Sequence, residues 1–324
     1  MCTPPFLLPF RCQRGKVRGM KTAILGAGAL GCYYGARLAE SGHDVTFIVR
    51  SAYDPIRQNG LRVESVDGDI HLPAPRICRS AQECGPVDLV IVCWKTTCND
   101  KLAEALPHLV HPVTEVITFQ NGMGNAEAIS AFVSPQQVYI GLCFVCCMMD
   151  EPGIIRHLEG GSIQFAPFEA SDAGEQRAAD FAEMFRKARI QTRSFRHAEQ
   201  IQWCKLSWNI PFNGLCLALG GISIRQLFTM PEQVERARAI MQEVCHTAEK
   251  RGYPLPLDIV HEQMERTSRM GDFIPSSAVD YLRERPVEYD AIWGITLERA
   301  LSAGAQVPHW EQLSRDIRAR LNRA

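Results

Sequence analysis

The 324-residue sequence predicts an α/β protein in two parts, a doubly wound parallel sheet followed by an all-α domain. Three observations carry that prediction. Short apolar runs alternate with amphipathic helical patterns through the first part of the chain. A glycine-rich turn joins the first run to the first helix. From about His197, long helical patterns replace the strands. The length fits about two domains on a prior of roughly 150 residues each, and 46% hydrophobic residues suffice for a full core.

The elements follow in order. "KTAIL" (21–25) is a short strand that ends at a glycine. "ALGCYYGARLAESG" places Leu30, Tyr34 and Leu38 on one helical stripe, with Gly42 as its stop. "DVTFIV" (44–49), "VDLVIVCW" (87–94) and "EVITF" (115–119) are nearly continuous apolar runs, the pattern of strands covered on both faces. "DKLAEALPHLV" between them is helical despite Pro107. Two segments read as hairpins, "LRVESVDGDIHL" turning at Asp67-Gly68 and "GIIRHLEGGSIQFAPF" turning at Gly160-Gly161. A helix over 173–188 and a strand over 190–194 complete the first domain. Helices are expected over 198–219, 232–251, 256–270 and 286–304. The expected division is an extension over 1–19, disordered and preceding a natural start at Met20, then domains over 20–196 and 197–324.

Composition excludes several classes. Lys plus Arg is 35 against 36 for Asp plus Glu, so no net field points to nucleic acid or to an anionic membrane surface. No apolar stretch reaches the roughly 20 residues of a membrane span. The N-terminus lacks the basic region and the cleavage site of a signal peptide. The 13 cysteines sit largely inside apolar runs. Cys143-x-x-Cys146 has no second pair beside it, so neither metal nor disulfide is expected, and a reduced cytoplasmic setting is the simplest account.

"GAGALG" carries the first functional signal. Gly26 permits the tight turn, Gly28 lets main chain approach a pyrophosphate, and Gly31 allows close helix–strand packing. With Ala27, Ala29 and Leu30 they form a dinucleotide cradle at a helix N-terminus, which makes the first domain Rossmann-like. Arg50 stands where NAD enzymes carry an acid for the ribose. An arginine there suits the 2′-phosphate of NADP, although it also reads as an ordinary loop residue. Lys95, in "CWKTT", either adds charge near the cofactor phosphates or is a solvated strand-end lysine.

"WCKLSWNIPFN" (203–213) carries the second signal. Lys205, Asn209 and Asn213 fall at i, i+4 and i+8, one face of a helix that is otherwise apolar. Either that face meets a polar cleft, or Lys205 reaches out to solvent while the asparagines cap something. Pro211 is expected to kink the helix before Asn213.

Taken together, "GAGALG", "QNGMGN" (120–125), the Lys205 helix and "SSAVDYLRERPVEYDAIWG" (276–294) resemble the ketopantoate reductase, or 2-dehydropantoate 2-reductase, family from Met20 to about residue 315. The resemblance implies a Rossmann domain and a helical domain with the site in the cleft between them, and NADPH (NADP) as the cofactor. It further implies a small-molecule 2-oxoacid substrate, reduced to the hydroxy acid on the way to coenzyme A. Lys205 matches the catalytic lysine, a general acid for the developing alkoxide. Glu288 matches a glutamate that holds the substrate hydroxyl and supports that lysine. Asn121 matches a residue near nicotinamide and substrate. Asn209 and Asn213 match pocket-lining groups, and Ser277 matches a carboxylate-binding serine. Ile274 and Ser223 stand where the family carries asparagines, which bears on the substrate more than on the reaction. The alternatives are a reductase of another small 2-oxoacid and a non-catalytic NADP-binding sensor. The sequence leaves assembly open, with a homodimer as one option.

Overall fold

The computed structural model describes residues 19–322; the expected extension over 1–19 lies outside them except for Gly19. The N-terminal domain begins β1 (Lys21–Leu25), α1 (Ala29–Glu40), β2 (Asp44–Ile48), α2 (Tyr53–Asn59), β3 (Leu61–Ser65), β4 (Ile70–Leu72), β5 (Arg76–Cys78) and α3 (Ala81–Cys84). It continues with β6 (Leu89–Val92), α4 (Leu102–Leu109), β7 (Glu115–Thr118), α5 (Asn125–Ile129), β8 (Val138–Glu151), β9 (Ile154–Pro167), α6 (Asp172–Lys187) and β10 (Thr192–Ser194).

The strand order is β4-β3-β9-β8-β7-β6-β1-β2-β5, with β10 also on β9. From β5 to β8 every pairing is parallel, the doubly wound, Rossmann-like core. Beyond β8 the sheet is mixed: β9 pairs antiparallel with β8 and parallel with β3 and β10. Alternation along β1 explains its apolar composition. Ile24 packs into one layer with Tyr33, Tyr34, Phe165, Phe181 and Phe185. Ala23 and Leu25 face the other, with Leu102, Leu106 and Ile201. Both faces of the sheet are covered, so neither can carry a polar set.

The hairpin at Asp67-Gly68 forms as β3 and β4. The one expected at Gly160-Gly161 does not. Those glycines lie inside β9, where Phe144 pairs with Ser162 and Val145 with Gly160, so Gly161 is the extra residue of a bulge. Both have positive φ, +78° and +109°. The chain reverses instead at Pro152-Gly153, and the long β8 before that turn was not anticipated. Sequence inspection misses it because Gly141 interrupts the apolar run; a Cβ there would collide with the Phe119 ring.

The C-terminal domain is helical: α7 (Ala198–Ala218), α8 (Ile224–Phe228), α9 (Pro231–Lys250), α10 (Ile259–Ser268), α11 (Ser276–Leu282), α12 (Ile295–Ser302) and α13 (Pro308–Leu321). Its core holds Trp203, Leu206, Phe212, Met241, Trp293 and Trp310. The expected helix over 286–304 is corrected. Residues 283–288 are turn and irregular chain, with Glu284 at φ +53°, and a π-helical turn over Asp290–Gly294 leads into α12. Pro211 does not end α7, which runs unbroken through both asparagines. Among the described residues no helix is long and apolar enough to cross a membrane.

Candidate active site

The glycine turn leaves the C-terminal end of β1, and its glycines have unequal reasons to exist. Gly26 has φ +95°, and a Cβ on it would lie 2.5 Å from the main-chain nitrogen of Trp94. A Cβ on Gly31 would lie 2.6 Å from Gly26 O and 2.8 Å from Ile24 Cγ2. The protein itself therefore requires both. A Cβ on Gly28 would meet nothing within 4 Å, so that glycine faces open space. Gly28 is the N-cap of α1; no side chain caps the helix, and Ala29, Leu30 and the rest of its first turn include no acid. Ala27 is tied back through its N–H to Ile48 O at 3.3 Å. Free N–H groups at an uncapped helix start, beside a gap kept by glycine, fit the pyrophosphate of a dinucleotide. Arg50 lies just past β2, the strand beside β1; it is exposed and forms no ion pair among the described residues.

Lys205 lies on α7 and is partly buried. Its Nζ donates to Asn121 Oδ1 at 2.9 Å and to Cys143 O at 2.8 Å, and sits 5.4 Å from the centre of the Phe144 ring. Burial pushes its pKa below the ordinary lysine value, opposed by the Cys143 thiol and by Glu288. Both hydrogen-bond partners belong to the N-terminal domain, so the side chain turns into the protein and does not reach out to solvent.

Asn121 reaches the lysine because "NGMG" can bend. Gly122 and Gly124 have φ +78° and +87°, and side chains there would strike Ala291 O and Ile295 Cδ1 of the helical domain. Met123 N–H donates to Ala291 O at 2.9 Å, and Gln202 of α7 donates to Gly122 O at 3.3 Å. Behind the loop, Asn125 Nδ2 donates to Asn121 O, while Gln120, Asn99 and Asn125 form a chain of amide bonds.

The other residues of the α7 face differ in how they are spent. Asn213 Oδ1 accepts from Ser277 N–H at 3.0 Å and from Ser276 Oγ at 3.4 Å, which ties the start of α11 to α7. Asn209 is 7% exposed and its amide has no partner among the described residues; the Ser277 hydroxyl, on a residue 2% exposed, has none either. Buried polar groups are normally satisfied, so these two are open to a ligand.

Glu288 is not within ion-pair distance of Lys205. Its Oε1 accepts from Thr96 N–H at 2.8 Å, and its Oε2 lies 3.7 Å from Lys95 Nζ. Lys95 in turn donates to the buried Asp280. The structure thus brings Lys95 to two carboxylates of the helical domain. Asp280, Thr96 and the Cys143 carbonyl escaped sequence reasoning. Only Asp280 left a signal, an acid eight residues before Glu288 in the same segment. Ser223 spends its hydroxyl on the α8 capping box, and Ile274 packs against the helical core.

A glycine turn that fits a dinucleotide, with a lysine held between the sheet and a helical domain, is the arrangement of an oxidoreductase of the dehydrogenase class. Comparison with known proteins narrows the class. The model described as ketopantoate reductase PanE/ApbA matches residues 22–170, and that described as ketopantoate reductase PanE/ApbA C terminal matches residues 197–320. A 2-dehydropantoate 2-reductase of Nostoc sp. is 34% identical over 293 residues, covering 89% of this chain and 91% of its own. The crystal structure of 2-dehydropantoate 2-reductase from Geobacter metallireducens superposes with TM-score 0.88 at 36% identity, over 92% of this chain and 99% of that one. A D-mandelate dehydrogenase, solved with NADH and anilino(oxo)acetate, shares the fold at TM-score 0.82 and 24% identity, covering 93% and 98%. The chain belongs to the ketopantoate reductase family.

Proposed function

We propose that the protein reduces a 2-oxoacid with NADPH, 2-dehydropantoate to pantoate before others, with Lys205 as general acid. The observation that carries this is the Lys205 ammonium at the domain junction, held by Asn121 Oδ1 and Cys143 O. A dinucleotide held at Gly26 to Gly31 would supply the hydride that the carbonyl carbon needs. Negative charge then gathers on the carbonyl oxygen, and an N–H of Lys205 aimed at that oxygen stabilises the charge and delivers the proton. A substrate oxygen entering here replaces one of the two acceptors that Lys205 now uses. Burial that lowers the lysine pKa makes the proton easier to give near neutrality. Asn209 and the Ser277 hydroxyl, both without partners among the described residues, hold the substrate's carboxylate end, Asn213 fixes the helix that carries Ser277, and Glu288 takes the hydroxyl. Arg50 takes the 2′-phosphate, since no acid stands at the end of β2 to hold the ribose of NAD.

One observation favours a second reading, another small 2-oxoacid. Ile274 presents no polar group for a distal hydroxyl, and Ser223 Oγ is engaged in accepting from Gln226 N–H. NADPH consumption with 2-dehydropantoate and a panel of 2-oxoacids, repeated with NADH, separates the two. The expected result is turnover of 2-dehydropantoate with preference for NADPH, and a fall in kcat of about 10²- to 10⁴-fold in Lys205→Ala without loss of the fold. Undiminished turnover in Lys205→Ala rejects the assigned acid. Absence of turnover with every 2-oxoacid rejects the reaction and revives a cofactor-binding sensor.

A further inference from the structure

We propose that Gln202 is a positioning residue: it clamps the loop that carries Asn121 to the helical domain and so sets where Asn121 meets Lys205. The proposal rests on the reading of Lys205 as the acid. Gln202 stands three residues before Lys205 on α7, so the two share one side of the helix. Both reach for the same loop. Lys205 Nζ donates to Asn121 Oδ1 at 2.9 Å, and Gln202 Nε2 donates to Gly122 O at 3.3 Å. One helix thus holds two consecutive residues of the other domain. Gln202 is 9% exposed, and its sequence neighbours Ile201 and Trp203 are 2% and 0% exposed. Burying a primary amide in such company is costly unless it is bonded, and the Gly122 carbonyl is the acceptor that its nitrogen has found.

The loop needs such a hold. Gly122 and Gly124 both have positive φ, and a segment hinged on two glycines has little stiffness of its own. From within the N-terminal domain, Asn125 Nδ2 ties Asn121 O at 2.9 Å. From the helical domain, the π-helical turn supplies a second clamp. Ile295 N–H bonds to Asp290 O, one residue further back than in an α-helix, which takes it off Ala291 O. Ala291 O receives Met123 N–H at 2.9 Å instead. That clamp is main chain, whereas the one from Gln202 is a side chain that a substitution can remove.

The test is steady-state kinetics across pH for Gln202→Met, Asn121→Ala and the double variant, with thermal melting and NADPH titration of each. Methionine keeps the length of glutamine and cannot donate. Gln202→Met is expected to lower kcat by about 10- to 100-fold, the scale of a misplaced reacting group, while Kd for NADPH stays within about threefold. It is also expected to move the high-pH limb of the rate to lower pH. An acceptor on the ammonium favours its charged form, so a loosened Asn121 leaves Lys205 easier to deprotonate. The other groups that act on Lys205, the Cys143 thiol and Glu288, are untouched by the substitution. In Asn121→Ala, adding Gln202→Met is expected to change kcat by less than about twofold, because the route through Asn121 is already gone. A limb that stays at the wild-type pH, an unchanged kcat, or a loss that adds in full to that of Asn121→Ala overturns the proposal. Should Gln202→Met fail to fold, Gln202→Ala carries the same expectations and the same refutations. Lack of 2-oxoacid turnover in the wild type, or a limb that survives Lys205→Ala, removes the reading beneath the proposal and the proposal with it. An active, Lys205-dependent wild type with an indifferent Gln202→Met overturns the proposal alone.

Discussion

The two ends of the proposed site are built by opposite means. The cofactor end is main chain: six consecutive residues, Gly26 to Gly31, whose chemistry is the absence of side chains and the exposed N–H groups of a helix start. The proposed substrate end is side chain. It draws Asn121 from a loop after β7, the Cys143 carbonyl from β8, Lys205 and Asn209 from α7, and Glu288 from the approach to a π-helical turn. A local site survives most distant substitutions and fails to a single methyl group placed wrongly. A dispersed site tolerates small local changes and fails when any one of its supports moves.

The glycines provide the largest contrast. Gly26→Ala puts a side chain into a left-handed conformation and against Trp94 main chain, so it is expected to destabilise the fold by about 2–4 kcal/mol and to lower the melting temperature by several degrees. Gly28→Ala meets nothing in the protein. It is expected to leave the melting temperature unchanged and to raise Kd for NADPH, because the methyl group occupies space that the pyrophosphate needs. Calorimetry and cofactor titration read the two effects separately. Equal thermal losses in both variants, or undisturbed NADPH binding in Gly28→Ala, break the distinction between fold-required and ligand-required glycine.

At the substrate end the corresponding lever is pH. Lys205, the proposed acid, must be protonated to act, and burial lowers its pKa. Reduction is therefore expected to lose rate as pH rises through that lowered value, tenfold per unit beyond it, with a midpoint below the ordinary lysine range. The limb should vanish in Lys205→Ala. Stability runs the other way: between the folded and unfolded pKa values the unfolded chain binds more protons, so this group's contribution to stability rises with pH there. A rate limb at or above the ordinary lysine value contradicts a desolvated ammonium.

Legibility in the sequence followed the same divide. The turn, β1, α1 and β2 could be read because every cue lies within about one βαβ unit, roughly 30 residues. The α7 face could be read because helical spacing alone aligns Lys205, Asn209 and Asn213. What the lysine touches could not, since the Cys143 carbonyl belongs to any residue type and carries no signal. Lys95 offered two readings, phosphate or solvent, and the structure takes its ammonium to Asp280 and Glu288, nearly two hundred residues away in sequence. The Gly160-Gly161 pair misled for a related reason. Positive φ serves a bulge as well as a turn, and only the register of β8 against β9 separates them.

Arg50 is where the comparison meets its smallest and most selective test. It is a side chain at the main-chain end, exposed and unpaired among the described residues, so nothing in the fold depends on it. Its proposed partner is the 2′-phosphate, the one group that separates NADPH from NADH. A charge-assisted bond at an exposed site is worth about 1.5 kcal/mol, or roughly tenfold in binding. Arg50→Ala is therefore expected to raise KM for NADPH about tenfold, to leave KM for NADH and kcat alone, and to lose much of its effect at high ionic strength, where exposed charges are screened. The selectivity matters more than the size. A variant that weakens NADPH and NADH alike would mean that Arg50 acts on the adenosine or on the loop, and the preference for the phosphorylated cofactor would need another source.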